Sequence, residues 1–394
     1  MADDAVDVVV AGGGLVGAAA ALACARAGAS VRLLDRHAPT ATYGASGFDA
    51  RTVALNPASA SLLRGMGVDL TAGAQRFARM YVWEEYGTRH IEFAAADVGR
   101  SELGWIVEVS PATVALWEAL AREPRVSCAT GASISDLRPR VDSVEVAWAD
   151  RRVRARLLIA ADGGQSTIRA LLGVGAERFA TGQAAIATIV ETEAPHQDTA
   201  WQRFLHDGPL ALLPLPARGE RHFCSLVWSQ SVANADARMA LDDVAFAHAV
   251  TAASEARLGP IRAVDRRHRI PLEQLLAERF QPSARVLLVG DAARVLHPLA
   301  GQGVNLGFED VAAIRAVVER VGTEGLDDPA IWRPYARQRR ARGEVMVRAM
   351  DAFRRVYALD DPWLQWLRNV GVDAVNRTPF LKTQLMKEAL GLRA

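Results

Sequence analysis

The chain of 394 residues has little cysteine, almost no lysine and no strong excess of charge of either sign. Its three cysteines are widely separated and form no CxxC pair, so neither a disulfide framework nor a metal site is predicted, and a reducing compartment is favoured. The formal net charge of +1 lacks the basic balance typical of nucleic-acid-binding proteins. These absences predict a soluble, globular, cytoplasmic protein with no nucleic-acid partner.

Long apolar runs are also missing. The run LVGAAAALACA, residues 15–25, is too short to span a bilayer, and we interpret it as a buried helix. Asp3, Asp4 and Asp7 stand where a secretory signal peptide would be basic. Neither a transmembrane helix nor a signal peptide is therefore predicted.

A glycine-rich turn between a strand and a helix opens the chain. A β-branched run at residues 6–10 leads into GGGLVG, an alanine-rich helix follows, and a second strand ends at Asp35. In this pattern Gly12 permits a tight turn, Gly14 lets a pyrophosphate approach the backbone, and Gly17 lets helix and strand pack closely. The helix N-terminus offers free N–H groups to the phosphates, and Asp35 is placed to accept from a ribose hydroxyl. The sequence predicts a dinucleotide site but does not choose between NAD and FAD.

Two later strands also end in a short acidic residue. Residues 157–161 lead into Asp162-Gly163, and residues 286–289 lead into Gly290-Asp291. Both are continuous apolar runs, as in a parallel sheet covered on both faces. Ligands of open α/β sheets bind at the carboxyl ends of the strands, so both acids are candidates for the dinucleotide site.

The stretch HPLAGQGVNLG, residues 297–307, is rich in glycine and almost free of charge, and helical spacing begins at Gly303. Bare backbone and a helix N-terminus together favour a flat or anionic ligand, although a tight loop that needs glycine only for its backbone angles is the alternative. His297 is either an acid–base group or a turn residue that holds backbone.

These motifs, with FDARTVALNPASASLLRGMGV, together resemble the flavoprotein aromatic hydroxylases. Among them the chain most resembles the hydroxylases of ubiquinone biosynthesis that act on polyprenylated phenols. The resemblance runs over nearly the whole chain and implies an α/β fold. The implied fold consists of a Rossmann-like FAD-binding domain interleaved with an α+β substrate domain on an antiparallel sheet, plus C-terminal helices.

The resemblance implies FAD, with NAD(P)H as a transient co-substrate because no second GxGxxG is present. It places FAD contacts along the cofactor in four groups: the pyrophosphate at Gly12, Gly14, Leu15 and Val16; the adenosine ribose at Asp35 and Arg36, with Arg51 reaching back toward the cofactor; the ribityl chain at Asp291; and the isoalloxazine at Pro298, Gly301, Gly303, Val304 and Asn305. Two departures stand out. Arg294 occupies a position where such enzymes often have histidine, and the segment around Ser110 lacks their usual arginine.

The middle of the chain breaks the βαβ rhythm with alternating apolar stretches typical of an antiparallel sheet. We assign residues 1–75, 100–175 and 281–345 to the FAD-binding domain, 76–99 and 176–280 to the substrate domain, and 346–394 to a C-terminal helical region. Candidates to face the flavin across an apolar cleft are Leu212, Leu213, Pro214, Val227 and Trp228, with sheet core as the alternative for each. Arg203 or Arg221 would lie near the ring if the substrate carried a carboxylate.

The C-terminal region is basic, and Trp363 and Trp366 lie at helical spacing with neighbouring leucines. This pattern is typical either of a helix on a membrane surface or of a helix packed on the flavin domain. A long prenyl tail on the substrate favours peripheral docking at the inner face of the membrane or membership of a ubiquinone-biosynthesis complex.

The resemblance implies hydroxylation of a polyprenylphenol, with O2 and NAD(P)H consumed and the hydroxyl transferred from a flavin C4a-hydroperoxide. No Ser/His/Asp or Cys/His arrangement is suggested by spacing, so the flavin carries the chemistry. Three alternatives remain open. They are a hydroxylase of a soluble aromatic compound, an FAD-dependent isoprenoid reductase or dehydrogenase, and a non-enzymatic member of the biosynthetic complex that keeps FAD as a structural element.

Overall fold

The computed structural model describes residues 4–85, 90–296, 303–358 and 379–391. The strands are β1 Asp4–Ala11, β2 Val31–Leu34, β3 Thr52–Leu55, β4 Gln75–Phe77, β5 Arg79–Glu84, β6 His90–Ala94, β7 Gly104–Glu108, β8 Val126–Ala129, β9 Ile134–Pro139, β10 Val144–Trp148, β11 Arg151–Ala160, β12 Ala176–Thr192, β13 Thr199–Leu205, β14 Gly208–Arg218, β15 Arg221–Ser231, β16 Ile261–Val264, β17 His268–Ala277, β18 Val286–Leu288 and β19 Arg294–Val295.

The α-helices are α1 Leu15–Arg26, α2 Pro57–Arg64, α3 Val109–Ala121, α4 Thr167–Leu171, α5 Val232–Met239, α6 Asp243–Ala253, α7 Gly303–Val321, α8 Trp332–Ala358 and α9 Pro379–Ala389. Short 3-10 helices span Ala95–Val98, Gly290–Ala292, Glu324–Asp327 and Pro329–Ile331.

A parallel sheet in the order β8-β2-β1-β11-β18 forms the first layer. Alternate residues of β1 pack on opposite faces, with Val8 and Val10 against α1, α3 and α7 and Val9 in the core on the other side. Because both faces are covered, these strands are apolar throughout. The strand predicted at 157–161 is the second half of β11, whose first half pairs with β10 in an antiparallel hairpin.

The second layer is a nine-stranded, mainly antiparallel sheet in the order β19-β17-β12-β15-β14-β13-β5-β6, with β16 also paired to β12. Helices α5 and α6 cover one face, where Trp228 and Phe246 belong to the same buried cluster. On the other face, Leu215 and Phe223 of this second sheet pack with Phe48, which precedes β3, and with Ile106 of β7. Strands β5 and β6 join from far upstream, so the two layers are interleaved along the chain, and the predicted fold class is confirmed.

A small sheet, β3-β7-β4, lies between the two layers. Its strand β3 is linked to the antiparallel sheet by a hydrogen bond of 2.8 Å between the hydroxyls of Thr52 and Ser225. The small sheet therefore anchors the segment that links β2 to β3.

Helix α9 packs on the edge region of the antiparallel sheet. Met386 and Leu390 are buried against Ala95 and Leu103, and Lys382 forms an ion pair of 2.7 Å with Asp97. The tryptophans that suggested a membrane-surface helix, Trp363 and Trp366, lie outside the described residues. Within the described ranges, no helix combines the length and apolarity needed to cross a membrane.

Candidate functional site

The turn between β1 and α1 gives each of its glycines different surroundings. Gly12 has φ +98°, and a β-carbon there would overlap the backbone of Ala161. A β-carbon on Gly17 would overlap the carbonyl oxygen of Gly12, so helix and turn are in direct contact. Gly14 is different because none of the residues that the structure describes lies within 4 Å of its would-be β-carbon. The turn is therefore tightly packed on the protein side and open on the other.

Three motifs that are distant in sequence meet at this turn. Val16, in the first turn of α1, lies against both Gly290 and Gly307, so larger residues at either glycine would crowd it. Asp162 lies against Gly12. The structure thus brings the first glycine turn, both strand-end acidic motifs and the start of α7 to one edge of the parallel sheet.

A groove with a volume of about 240 Å³ runs along this edge. Asp35, at the end of β2, accepts hydrogen bonds from the N–H groups of Gly13 (2.5 Å) and His37 (2.8 Å), and so braces the glycine turn. Arg36 is exposed. The other residues that line the groove include Gly14, Leu15, Thr40, Arg51, Ser110, Thr113 and Trp117.

Trp117 is a groove residue that the sequence analysis missed. Its indole N–H donates to the carbonyl oxygen of Gly13 at 2.7 Å, and a β-carbon on Gly13 would overlap the ring. The contact joins α3 to a turn over a hundred residues earlier in the chain. The only signal in the sequence was that the segment around Ser110 lacks the arginine that is usual in the flavoprotein aromatic hydroxylases.

Arg51 reaches the groove from the segment before β3. Its side chain is 61% exposed, and Asp49 lies beneath it, accepting the N–H groups of Arg51 (2.9 Å) and Ser110 (2.8 Å). Glu108 in turn accepts the N–H of Asp49 at 2.6 Å. Burial raises the pKa of Glu108, and the charge of Asp49 adds to this, while the Asp49 N–H and Arg218 oppose it. These contacts hold the backbone beside Arg51 in place and leave its guanidinium accessible.

Two carboxylates near the groove are available to a ligand. Asp162 uses one oxygen to accept the N–H of Ile168 (3.1 Å), and its other oxygen is buried with no hydrogen-bond partner among the residues that the structure describes. Asp291 is solvent-accessible, yet protein surrounds it closely enough to raise the pKa of its carboxyl, an effect that the charge of Arg294 opposes.

Helix α7 begins at Gly303, where a β-carbon would have no atom of the described part of the chain within 4 Å. The side chain of Asn305 is buried, accepts the N–H of Asn56 at 3.0 Å and donates to the carbonyl of Ala54 at 2.7 Å. It therefore ties the start of α7 to β3 and α2, while the first N–H groups of the helix have no intrahelical acceptor. Three candidates, His297, Pro298 and Gly301, lie outside the described residues.

The candidates for an apolar cleft divide between the two faces of the antiparallel sheet. Leu213 packs on the face toward Phe48, and Val227 shares that face with Ser225 by strand alternation. Leu212 and Trp228 instead lie in the core beneath α6, and Pro214 shares their face. For these three residues the structure favours the sheet-core alternative, because helices cover that face and the strands are apolar on both faces.

The two arginines considered for a substrate carboxylate have other partners. Arg203 is buried, pairs with Glu255 at 2.8 Å and donates to the carbonyl of Ala253 at 2.8 Å. Arg221 pairs with Glu191 at 2.6 Å on the protein surface. The guanidinium of Arg203 is therefore committed within the fold, and that of Arg221 lies at the protein surface.

The groove and the residues beside it have chemical features that an elongated dinucleotide requires. The open side of Gly14 admits a group close to the backbone, and a helix N-terminus and the accessible guanidinium of Arg51 lie along the same groove. The free oxygen of Asp162 and the accessible carboxylate of Asp291 provide acceptors for hydroxyl groups.

Comparisons with known proteins also indicate a dinucleotide site. A family model described as an FAD binding domain matches residues 5–350. The 3-demethoxyubiquinol 3-hydroxylase of Escherichia coli is 34% identical over 406 residues, covering 100% of both chains. The ubiquinone hydroxylase UbiL of Rhodospirillum rubrum is 34% identical and covers 99% of this chain and 90% of its own.

Human ubiquinone biosynthesis monooxygenase COQ6 is 30% identical, covering 98% of this chain and 92% of the human protein. Among solved structures, p-nitrophenol 4-monooxygenase PnpA from Pseudomonas putida DLL-E4 matches with a TM-score of 0.79, at 20% identity, over 99% of this chain and all of its own. The likeness to that structure concerns the fold alone.

Proposed function

The chain belongs to the FAD-binding-domain family of FAD-dependent monooxygenases, and from that premise we propose that it hydroxylates the ring of a polyprenylated phenol in ubiquinone biosynthesis. The observation that carries the proposal is the identity of 34% to a 3-demethoxyubiquinol 3-hydroxylase over the whole of both chains. NAD(P)H and O2 are the proposed co-substrates.

The residues of the groove have a proposed role along FAD. Gly12, Gly14, Leu15 and Val16 would approach the pyrophosphate with Arg51 above it, Asp35 and Arg36 would hold the adenosine ribose, and Asp291 would accept from the ribityl hydroxyls. When bound and reduced, FAD supplies the oxygen-activating chemistry. The N–H groups at Gly303, Val304 and Asn305 would face its ring system, where a helix N-terminus favours negative charge.

The flavin-facing side of the antiparallel sheet supports an aromatic substrate without a carboxylate. Leu213 and Val227 are partly buried on this face, and Ala185 and Ser229 are small, buried neighbours on it. Small and apolar side chains leave room for a ring and exclude water from it. The engagement of Arg203 and Arg221 elsewhere further supports a phenol over a benzoate.

We propose that the protein works at the cytoplasmic face of the inner membrane. A polyprenyl tail is costly to remove from lipid, and the basic C-terminal region would favour an anionic surface. Co-sedimentation with vesicles containing anionic lipid, and loss of that association in high salt, would support this placement. Equal recovery in the supernatant with and without vesicles would contradict it.

The decisive experiment is deletion of the protein from its host. The proposal expects accumulation of a prenylated phenol that lacks one hydroxyl, and purified protein that couples NAD(P)H oxidation to a product with one more oxygen atom. A soluble-aromatic hydroxylase would leave the ubiquinone pool unchanged. A reductase or dehydrogenase would turn over without incorporating 18O from O2, and a structural flavoprotein would show no substrate-stimulated NAD(P)H oxidation.

A further inference from the structure

Three charged side chains form a buried cluster behind the start of α7. Arg294 and Arg339 both pair with Asp310, at 2.8 Å and 2.6 Å, one on each carboxylate oxygen. All three are at most 5% exposed, and Asp310 is fully buried. Arg294 comes from β19, Asp310 from α7 and Arg339 from α8, so the cluster joins three elements.

The cluster also holds the backbone of two segments assigned to FAD. Asp310 accepts the N–H of Gly290 at 3.0 Å, in the turn that carries Asp291. Both guanidiniums donate to the carbonyl oxygen of Leu306 in the first turns of α7, Arg294 at 2.6 Å and Arg339 at 3.1 Å. The distance between the Asp291 turn and the helix start is thus set by one group of side chains.

The charges within the cluster do not cancel. Two guanidiniums face one fully buried carboxylate, and Glu309, which binds Arg339 at 2.8 Å, has a side chain that is 29% exposed and is screened by solvent. Burial acts to lower the pKa of Arg339, but Asp310 and Glu309 together more than offset it, so the guanidinium stays charged. Because solvent screens part of the Glu309 charge, the positive charge of the two guanidiniums is compensated only in part beside the helix N-terminus, which has the same sign.

The field of Arg294 reaches the proposed FAD contacts. Its charge acts on the carboxyl of Asp291, and its guanidinium touches the first turns of α7 directly. We propose that Arg294, with Asp310 and Arg339, is a positioning and charge-tuning unit for FAD that favours the reduced, anionic flavin over the oxidised one. The inference rests on FAD binding and is independent of which aromatic compound is hydroxylated.

The test is the two-electron reduction potential of bound FAD in Arg294→Gln. Loss of the charge is expected to lower the preference for reduced over oxidised FAD about tenfold, or about 30 mV. Arg315→Gln is the matched control, because Arg315 lies on α7 but forms an exposed pair with Glu319 at 2.7 Å. Equal potentials in Arg294→Gln, Arg315→Gln and the wild type would overturn the proposal.

Arg294→His gives a second readout that does not need the glutamine variant to fold. Its potential should lie near that of the wild type when the imidazole is protonated and fall below it as the pH rises through the imidazole pKa. A purely structural role for Arg294 predicts a constant difference from the wild type at every pH. That constant difference would also overturn the proposal, whatever the hydroxylase assays show.

Discussion

Two substitutions in the first glycine turn, Gly14→Ala and Gly17→Ala, should have opposite effects on folding and on FAD binding. Gly14 has an ordinary backbone conformation, φ −66°, and its β-carbon would meet no atom of the described residues within 4 Å. Because it is the N-cap of α1, the change to alanine should cost the apoprotein at most about 1 kcal/mol. The same methyl group would stand where the proposed pyrophosphate approaches the backbone.

Gly17→Ala places a methyl group onto the carbonyl of Gly12, a backbone atom that cannot rotate away. Because the overlap is with backbone that cannot move aside, we expect the upper end of the range for overpacking, about 3 kcal/mol. The gain in helix propensity from alanine, about 1 kcal/mol, offsets only part of that cost because the contact is direct. Gly17→Ala should therefore lower apoprotein stability by more than Gly14→Ala does.

Urea unfolding of the apoproteins and titration with FAD, followed by quenching of flavin fluorescence, separate the two effects. Gly14→Ala is expected to unfold near the wild-type midpoint but to bind FAD at least about 100-fold more weakly, or about 2.8 kcal/mol. If Gly14→Ala bound FAD as tightly as the wild type, the placement of the pyrophosphate would be refuted. A Gly14→Ala protein less stable than Gly17→Ala would refute the packing argument.

Three further outcomes follow from the site. Trp117→Phe keeps a ring against Gly13 but removes the indole donor, so we expect a loss of about 1 kcal/mol in unfolding free energy and several-fold weaker FAD binding, measured by the same titrations. Burial raises the pKa of Glu108 above its ordinary value of 4.5, so its contribution to stability is present below pH 4.5 and is lost as the pH rises through the raised value. Glu108→Gln should flatten that part of the pH–stability curve, and an unchanged curve would contradict the burial argument. Leu212→Ala should cost about 2–5 kcal/mol of stability without altering substrate preference, because Leu212 lies in the core. Val227→Ala should change KM for the aromatic substrate with little loss of stability, because Val227 is only partly buried. The reverse pattern would show that the substrate binds on the face that carries Leu212.

The parts of the site that depend on local sequence were predictable. The spacing of Gly12, Gly14 and Gly17 after a β-branched run predicts a βαβ turn, because Gly12 needs a positive φ and Gly17 must lie directly against the carbonyl of Gly12. Asp162 and Asp291 became candidates because each follows closely after an apolar strand.

Contacts made across the fold were not predictable from the sequence. Trp117 meets Gly13 from a helix far along the chain, and no local pattern marks an indole that will donate to that carbonyl. Leu212 and Leu213 are adjacent and equally apolar, and only the position of α6 decides which one lies in the core beneath that helix and which one faces Phe48. The partner of Arg294 likewise became visible only when α7 placed Asp310 beside it.

The pairing of β1 with β11, and of β11 with β18, has a consequence for biosynthesis. The parallel sheet is complete only when Val286–Leu288 has been added, long after β1 and α1 leave the ribosome. Until then the apolar face of α1 lacks its partner helix α7, and such unfinished nascent chains invite chaperones or aggregation. Loading of the prosthetic group therefore requires that α7 has been synthesised, so products truncated before α7 should emerge colourless and insoluble.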